Sequence, residues 1–170
     1  MSFANICHRS IVNKRVLVQK IVTQIGEELD LLLKAARTSH AEATHESSKA
    51  ENKYDTRGLE AAYLARGQSK QAAESVQAIK DFEAMALREF GPADKIDVGA
   101  LVELKDKKER SFYFIGPRAG GTEVTHEERE VLVITPQSPL GRQIVGRKQG
   151  DKVKLEIAGS PQELRIASVN

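Results

Sequence analysis

The sequence predicts an α+β protein, with an N-terminal antiparallel helical coiled coil followed by a small β-rich domain that contains one short helix. All five prolines and eight of the 12 glycines follow residue 91. The proline-free first part is rich in residues that favour helices, whereas the second part alternates β-branched runs with turn residues. We therefore divide the chain into an arm, residues 1–91, and a globular domain, residues 92–170.

The first helix of the arm is predicted by a heptad repeat. Apolar residues recur every seven positions at Ile11, Val18, Ile25 and Leu32. The positions four residues further on are Arg15, Val22, Leu29 and Ala36. Such spacing places a narrow apolar seam along one side of a helix, suited to pairing with a second helix.

The second helix has the opposite taper. Its predicted seam grows from small to large side chains, through Ala62, Ala65, Ser69, Ala72, Val76, Ile79, Ala86 and Phe90. The bulky ends of the two seams match only if the helices run antiparallel, with a reversal near residues 45–58 and a helix end at Gly91-Pro92. About 40 residues per helix would project about 60 Å.

The second part reads as strands joined by hairpins. The predicted strands are Ala100–Leu104, Ser111–Ile115, Val131–Thr135, Lys152–Ile157 and Glu163–Val169. Ser138 before Pro139 is typical of an N-cap followed by the first helical residue, so a short helix should begin there and end near Gly146. Four or five strands and one short helix would make a half-open sheet or barrel.

Composition excludes several classes of protein. With 26 basic and 24 acidic side chains and a net charge of +2, bulk electrostatics does not indicate a nucleic-acid partner. One cysteine excludes an internal disulfide framework and a multi-cysteine zinc site. Charged residues interrupt every apolar run, so we expect neither a membrane span nor a secretion signal, and a cytoplasmic location.

An ordered motif near the C-terminus comprises Ser138-Pro139-Leu140-Gly141-Arg142, Val145-Gly146-Arg147 and Gly150-Asp151-x-Val153. This motif resembles the C-terminal signature of the Gre family of bacterial transcription elongation factors. Upstream, 98–104 and 112–116 resemble the first strands of the same domain. The resemblance implies an FKBP-like topology for residues 92–170 and a factor that is not itself an enzyme.

The resemblance also implies a partner and a mode of action. Such factors bind RNA polymerase at the rim of its secondary channel, and the coiled coil reaches toward the active centre. Acidic residues at its tip help to hold a Mg²⁺ ion shared with the polymerase, which then cuts backtracked RNA. The implied docking residues are Ser138, Pro139, Leu140, Gly141, Arg142, Gly146 and Asp151. We expect a monomer with no tightly bound cofactor, only indirect contact with nascent RNA, and no membrane partner.

The tip departs from the family pattern of an acid, two residues and then Glu-Asn. Glu51-Asn52 fits, but Ser48 occupies the earlier acid position. Glu46 or Asp55 could replace that acid, so the predicted tip residues are Glu46, Glu51, Asn52 and Asp55, with Glu51 and Asp55 as metal ligands. The tip could promote cleavage or only occupy the channel.

Two other functional classes remain open at this stage. An FKBP-like peptidyl-prolyl isomerase or chaperone would need an apolar aromatic pocket, for which the domain offers only Phe112, Tyr113 and Phe114. A structural coiled-coil dimer would pair its helices between chains.

Overall fold

The computed structural model describes residues 14–44, 57–106, 109–157 and 160–170. The elements are α1 (Lys14–Thr44), α2 (Arg57–Glu83), β1 (Leu101–Lys105), β2 (Arg110–Ile115), β3 (Glu123–His126), β4 (Arg129–Ile134), α3 (Pro139–Ile144), β5 (Lys152–Ile157) and β6 (Ser160–Val169). This order confirms the predicted α+β class, with helices first and a β-rich domain second.

The helices α1 and α2 form an antiparallel pair within one chain. Leu17, near the start of α1, belongs to the same buried cluster as Phe82, near the end of α2. Further along the arm, Ile25 of α1 borders the same groove as Gln71 of α2. The described helices therefore pair intramolecularly, as the opposed tapers of their seams predicted.

The buried side of α1 differs from the predicted seam at the base of the arm. Leu17 and Ile21 are fully buried although neither lies in the predicted heptad, whereas Arg15 is exposed. At its base α1 contacts β3 as well as α2, so its apolar surface is wider than a two-helix seam. Two sides of the helix are covered there, which is why residues outside the heptad are buried.

The seam of α2 also differs from the prediction. Val76, which was placed in it, is 40% exposed, while Ala78 and Phe82 are buried. Phe82 stacks on Phe114 of the sheet, with ring centroids 6.3 Å apart. The contact with the sheet rotates the buried side of α2 towards Phe82, a tertiary effect that heptad spacing does not contain.

Helix α2 ends at Glu83, earlier than the predicted end at Gly91-Pro92. Residues 85–90 are irregular although their composition favours a helix. They bring Phe90 into a buried position, where Lys14 Nζ and Arg88 Cζ lie 4.9 Å and 3.8 Å from its ring centroid. Burial of an aromatic ring outweighs the small helix propensity of these few residues.

The domain is built on one six-stranded sheet with the order β3-β4-β2-β1-β6-β5. All pairs are antiparallel except β2 and β4. The strands predicted from the sequence did not include β3, which forms an edge of this sheet. Successive residues of a strand point to opposite faces, so the sheet separates two hydrophobic clusters.

We name the two faces by the helices that cover them. The arm face carries the cluster that packs against α1 and α2, including Leu101, Phe114 and Val133. The α3 face carries the cluster that includes Leu104, Ile115 and Ile144. Among the described residues, no helix is long and apolar enough to cross a membrane.

Candidate functional site

The predicted docking segment begins at the N-terminus of α3, where local chemistry fixes the helix start. Ser138 is the N-cap, and its Oγ accepts a hydrogen bond from the Gly141 amide at 3.0 Å. The same hydroxyl donates to the Thr135 carbonyl at 2.8 Å. Pro139 is the first helical residue, where its missing N–H has no intrahelical partner to lose. Serine and proline therefore act together to set the direction in which α3 leaves β4.

Gly141 is required by space. A Cβ on residue 141 would lie 1.9 Å from the Thr135 carbonyl oxygen and 2.9 Å from Ser138 Oγ. Contacts this short to backbone cannot be relieved by a side-chain rotation. The loop after β4 therefore folds tightly against the first turn of α3, and only glycine permits that approach.

The C-terminal end of α3 is tied to the segment before β1. Gly146 has a φ of +84°, a conformation that glycine adopts without strain. Its amide donates to the Ile96 carbonyl at 2.8 Å, and the Ile96 amide donates to the Arg147 carbonyl at 2.8 Å. These paired hydrogen bonds fix the C-terminal end of the short helix on the domain.

Asp151 closes the turn that leads from α3 into β5. Its Oδ2 accepts a hydrogen bond from the Lys148 amide at 2.9 Å. Its carbonyl accepts from the Ile166 amide at 2.9 Å, and the Gly150 amide donates to the Ile166 carbonyl at 2.8 Å. The carboxylate thus has a structural partner of its own within the turn.

The seven predicted docking residues divide by what they do in the fold. Ser138, Gly141, Gly146 and Asp151 shape the backbone of this segment. Leu140 is half-buried and packs against the cluster on the α3 face. Pro139, Arg142 and Asp151 are exposed, so within the predicted set these three have side chains that a partner could contact, although the Asp151 carboxylate also accepts the Lys148 amide.

The predicted tip residues lie outside the described part of the chain. Glu46, Glu51, Asn52 and Asp55, with Glu51 and Asp55 as metal ligands, stay predictions. Within the described residues, no group of three or more His, Cys, Asp or Glu side chains is arranged to hold a metal ion.

Sequence reasoning missed two residues that shape the site. Thr135 supplies the carbonyl against which both Ser138 and Gly141 pack. Ile96 pairs with the end of α3 through its backbone. Neither carries a signal in the sequence, because both act through main-chain groups that nearly any residue possesses.

The aromatic run on β2 does not form an isomerase-like pocket. Phe114 is fully buried and stacked on Phe82, and Phe112 and Tyr113 are half-buried. Arg129 covers the ring of Phe112, with its Cζ 5.1 Å from the ring centroid. Phe112 and Tyr113 border an open groove, but its lining includes charged residues such as Arg110, Glu123 and Glu128, so the rings do not form the apolar pocket that an isomerase would need.

Comparisons with known proteins identify relatives of this chain. Residues 91–170 match the family described as "Transcription elongation factor, GreA/GreB, C-term". The transcription inhibitor protein Gfh1 of Thermus aquaticus is 25% identical over 156 residues, which cover 89% of this chain and 91% of that protein. The protein of the same name from Thermus thermophilus is 26% identical over 156 residues, with 89% and 92% coverage.

Solved structures give matches over a similar length. The crystal structure of Gfh1 from Thermus thermophilus matches with a TM-score of 0.38 and 23% identity, covering 90% of this chain and 94% of that one. The alternative assignment as an FKBP-like isomerase finds no support in any of these comparisons. Residues 91–170 form a GreA/GreB C-terminal domain, and the resemblance of this chain to the Gre family of bacterial transcription elongation factors is confirmed.

Proposed function

We propose that this transcription elongation regulator binds RNA polymerase with the surface around α3 and inserts its helical arm into the secondary channel. The single observation that carries the proposal is the match of the whole domain, residues 91–170, to the GreA/GreB C-terminal family. The intramolecular pairing of α1 and α2 supports it, since a channel admits a slim hairpin more readily than a bulky domain.

The two ends of the molecule have separate tasks in this proposal. The docking end contributes the exposed side chains of Pro139 and Arg142, held in place by the Ser138 and Gly141 contacts described above. The arm begins on the opposite face of the sheet, where α1 and α2 pack on Phe114 and Val133. A variant at one end should therefore leave the task of the other end unaffected.

We further propose that the arm inhibits transcription by occupying the channel. Two relatives that match 89% of this chain are named transcription inhibitors, and Ser48 stands where the Gre pattern has its first tip acid. Hard divalent cations such as Mg²⁺ favour several oxygen ligands, so Glu51 alone would hold one poorly. Glu46 and Asp55 are the carboxylates that could complete such a site. In that case the polymerase would still cut the RNA, and the chain would supply only metal ligands.

The decisive experiment combines binding with transcription. The purified chain is incubated with bacterial core RNA polymerase, and complex formation is measured by size-exclusion co-elution. RNA extension by stalled elongation complexes is then measured with and without the chain. We expect co-elution and slower extension. A chain that does not bind the polymerase, or that binds without changing extension, contradicts the proposal.

A second experiment separates occupancy from cleavage. Backtracked elongation complexes are incubated with the wild type and with Glu51→Ala, and the RNA 3′ ends are compared. Inhibition by occupancy predicts no shortened RNA with either protein and equal polymerase binding. Shortened RNA with the wild type that disappears with Glu51→Ala would assign the chain to cleavage stimulation instead.

The cytoplasmic location stays a prediction.

A further inference from the structure

A row of four cations crosses the sheet on its arm face. The strand register pairs Lys105 of β1 with Arg110 of β2 and with Arg165 of β6, and Arg165 in turn with Lys152 of β5. Directly opposed residues of neighbouring strands point to the same face of a sheet. We call these four residues, Arg110, Lys105, Arg165 and Lys152, the cation row; all four are exposed.

The row is only partly neutralised within the described chain. Its outer members have carboxylate partners, since Arg110 pairs with Glu103 at 3.1 Å and Lys152 with Glu163 at 2.6 Å. The central members, Lys105 and Arg165, form no ion pair with any residue that the structure describes. Like charges placed directly opposite each other destabilise a sheet, so the centre of the row is electrostatically unfavourable unless an anion binds there.

The centre of the row borders an open groove. Its charged lining consists of three basic residues, Lys105, Lys152 and Arg165, and two acidic ones, Asp106 and Glu163, of which Glu163 is paired with Lys152. Gly150 lies beneath the guanidinium of Arg165, where a Cβ would be 3.9 Å from a terminal guanidinium nitrogen. The groove has a volume of about 730 Å³, the size of a cleft that binds a small molecule rather than a single ion. A chain of several linked anionic groups would use this space better than an isolated phosphate.

We propose that the cation row binds the phosphate backbone of a single-stranded nucleic acid. Adjacent strands lie about 4.8 Å apart, so four strands spread the row over about 14 Å. That length suits a few successive phosphates, and a positively charged groove on a β-rich domain is how many proteins follow single strands. The row lies on the opposite face of the sheet from Leu140 and Ile144 of α3, although Lys152 directly follows Asp151 of the predicted docking set.

A nucleic acid fits the groove better than an acidic peptide segment. Gln149 also lines the groove, and its side-chain oxygen is buried with no hydrogen-bond partner in the described chain. A buried acceptor without a donor is unfavourable. Nucleotides carry hydrogen-bond donors on their bases and sugars beside the phosphates, whereas ionised Asp and Glu side chains only accept.

The contact expected here is not specific for sequence. Phe112, the aromatic side chain on the same face as Arg110, is half-buried and covered by Arg129, so it is not available to stack on a base. Affinity should then come mainly from contacts with phosphates and fall steeply with salt. Since the net charge of the chain is only +2, any such affinity must be local to a patch.

The test uses the full-length chain and a fluorescently labelled single-stranded RNA of about 12 uridines, without polymerase. Anisotropy gives the dissociation constant at several KCl concentrations. If the wild type makes about four phosphate contacts, the slope of log affinity against log salt is about −3. The double variant Lys105→Gln/Arg165→Gln should have a shallower slope, about −1.4, and its affinity for the RNA at low salt should be weaker on the order of tenfold.

Matched variants test whether the cation row causes the RNA affinity and its salt dependence. Lys34→Gln/Lys70→Gln removes the same charge from exposed positions on the arm and should keep the wild-type slope, and Arg165→Lys should keep most of the affinity. The melting temperature of Lys105→Gln/Arg165→Gln should stay equal or rise, because like-charge repulsion is relieved.

Several results would overturn the proposal. One is that the wild type does not bind the RNA at low salt, and another is that Lys34→Gln/Lys70→Gln loses as much RNA affinity as Lys105→Gln/Arg165→Gln. A third is that the melting temperature of Lys105→Gln/Arg165→Gln falls by several degrees, which would show that the row is structural. Poly-glutamate that competes as well as RNA and depends equally on Lys105 and Arg165 would reassign the surface to an acidic protein. Since polymerase is absent from the assay, failure here leaves the proposed function unaffected.

Discussion

The Thr135 carbonyl oxygen and the α-carbon of Gly141 approach so closely that a methyl group on residue 141 would lie 1.9 Å from that oxygen. This contact joins the end of β4 to the first turn of α3. It explains why the segment that resembles the Gre signature contains glycine at this position. The same oxygen accepts the hydrogen bond of Ser138 Oγ, so one backbone group positions both the N-cap and the helix.

Gly141→Ala should destabilise the domain by about 2–4 kcal/mol, because either the loop or the helix must move. The measurement is urea denaturation followed by circular dichroism. Gly26→Ala is the matched control: no atom lies within 4 Å of its new methyl group, and alanine favours the interior of α1, so we expect up to about 1 kcal/mol of stabilisation. Equal effects of the two substitutions would contradict the steric explanation.

The stacked rings of Phe82 and Phe114 should couple the arm to the sheet. Both side chains are buried, and their centroids are 6.3 Å apart. Phe82→Ala should cost about 3–5 kcal/mol. A double-mutant cycle with Phe114→Leu and Phe82→Leu should give a coupling energy of about 0.5–1.5 kcal/mol.

Val76→Ala provides the comparison on the same helix. Val76 is 40% exposed, so its truncation should change the free energy of unfolding by less than about 0.5 kcal/mol. If Val76→Ala lowers the free energy of unfolding strongly and Phe82→Ala lowers it little, the buried side of α2 is the heptad seam predicted from the sequence. That result would contradict the packing of Phe82 on the sheet.

Local chemistry made some elements predictable. The start of α3 follows from Ser138 and Pro139, whose preferences act within one helical turn. The hairpin of β1 and β2 follows from two alternating runs around a polar turn, and the pairing of α1 with α2 follows from opposed tapers. In each case, interactions between residues close in sequence, or along one helix face, decide the outcome.

Other features depend on contacts that no local pattern records. Strand β3 is short and polar, and its His126 is buried on the side of the sheet where the helical arm packs. The end of α2 depends on the burial of Phe90. The cation row requires the register of four strands, which brings Lys105, Arg110, Lys152 and Arg165 together although the even charge balance of the sequence gives no sign of it.

His126 should make the folded state less stable in mild acid. It is 4% exposed, and neither ring nitrogen has a hydrogen-bond partner among the described residues. Burial lowers the pKa of His126 from 6.5; Glu127 opposes this, while Lys20 of α1 and Arg129 of β4 add to it. The unfolded chain therefore binds a proton more readily, so the stabilisation is present above pH 6.5 and is lost as the pH falls through that value towards the folded pKa.

The measurement compares wild type with His126→Leu by thermal unfolding between about pH 5 and pH 7.5, the range in which histidine titrates. The lowered pKa values of Asp81 and Glu163 affect stability at lower pH and are common to both proteins. The melting temperature of the wild type should fall more steeply towards pH 5 than that of the variant. Parallel curves would show that His126 titrates normally in the folded state.

Arg142→Glu should weaken binding to RNA polymerase without unfolding the domain. Arg142 is exposed in the last turn of α3, and its amide donates to the Ser138 carbonyl, a hydrogen bond that glutamate preserves. The reversal should cost only a few tenths of a kcal/mol through the helix dipole. If the side chain contacts the polymerase, losing that contact and adding a repulsive charge should weaken affinity on the order of tenfold or more.

The control for Arg142 is a second charge reversal on the other side of the sheet. Arg129→Glu makes the same charge change on the arm face and should bind the polymerase as the wild type does, because only the α3 face docks in the proposed complex. A titration monitored by fluorescence would compare the three affinities, with circular dichroism to verify each fold. If Arg142→Glu binds the polymerase as tightly as the wild type, the docking contact lies elsewhere on the domain. If both charge reversals weaken polymerase binding equally, the cause is long-range electrostatics rather than a contact of Arg142.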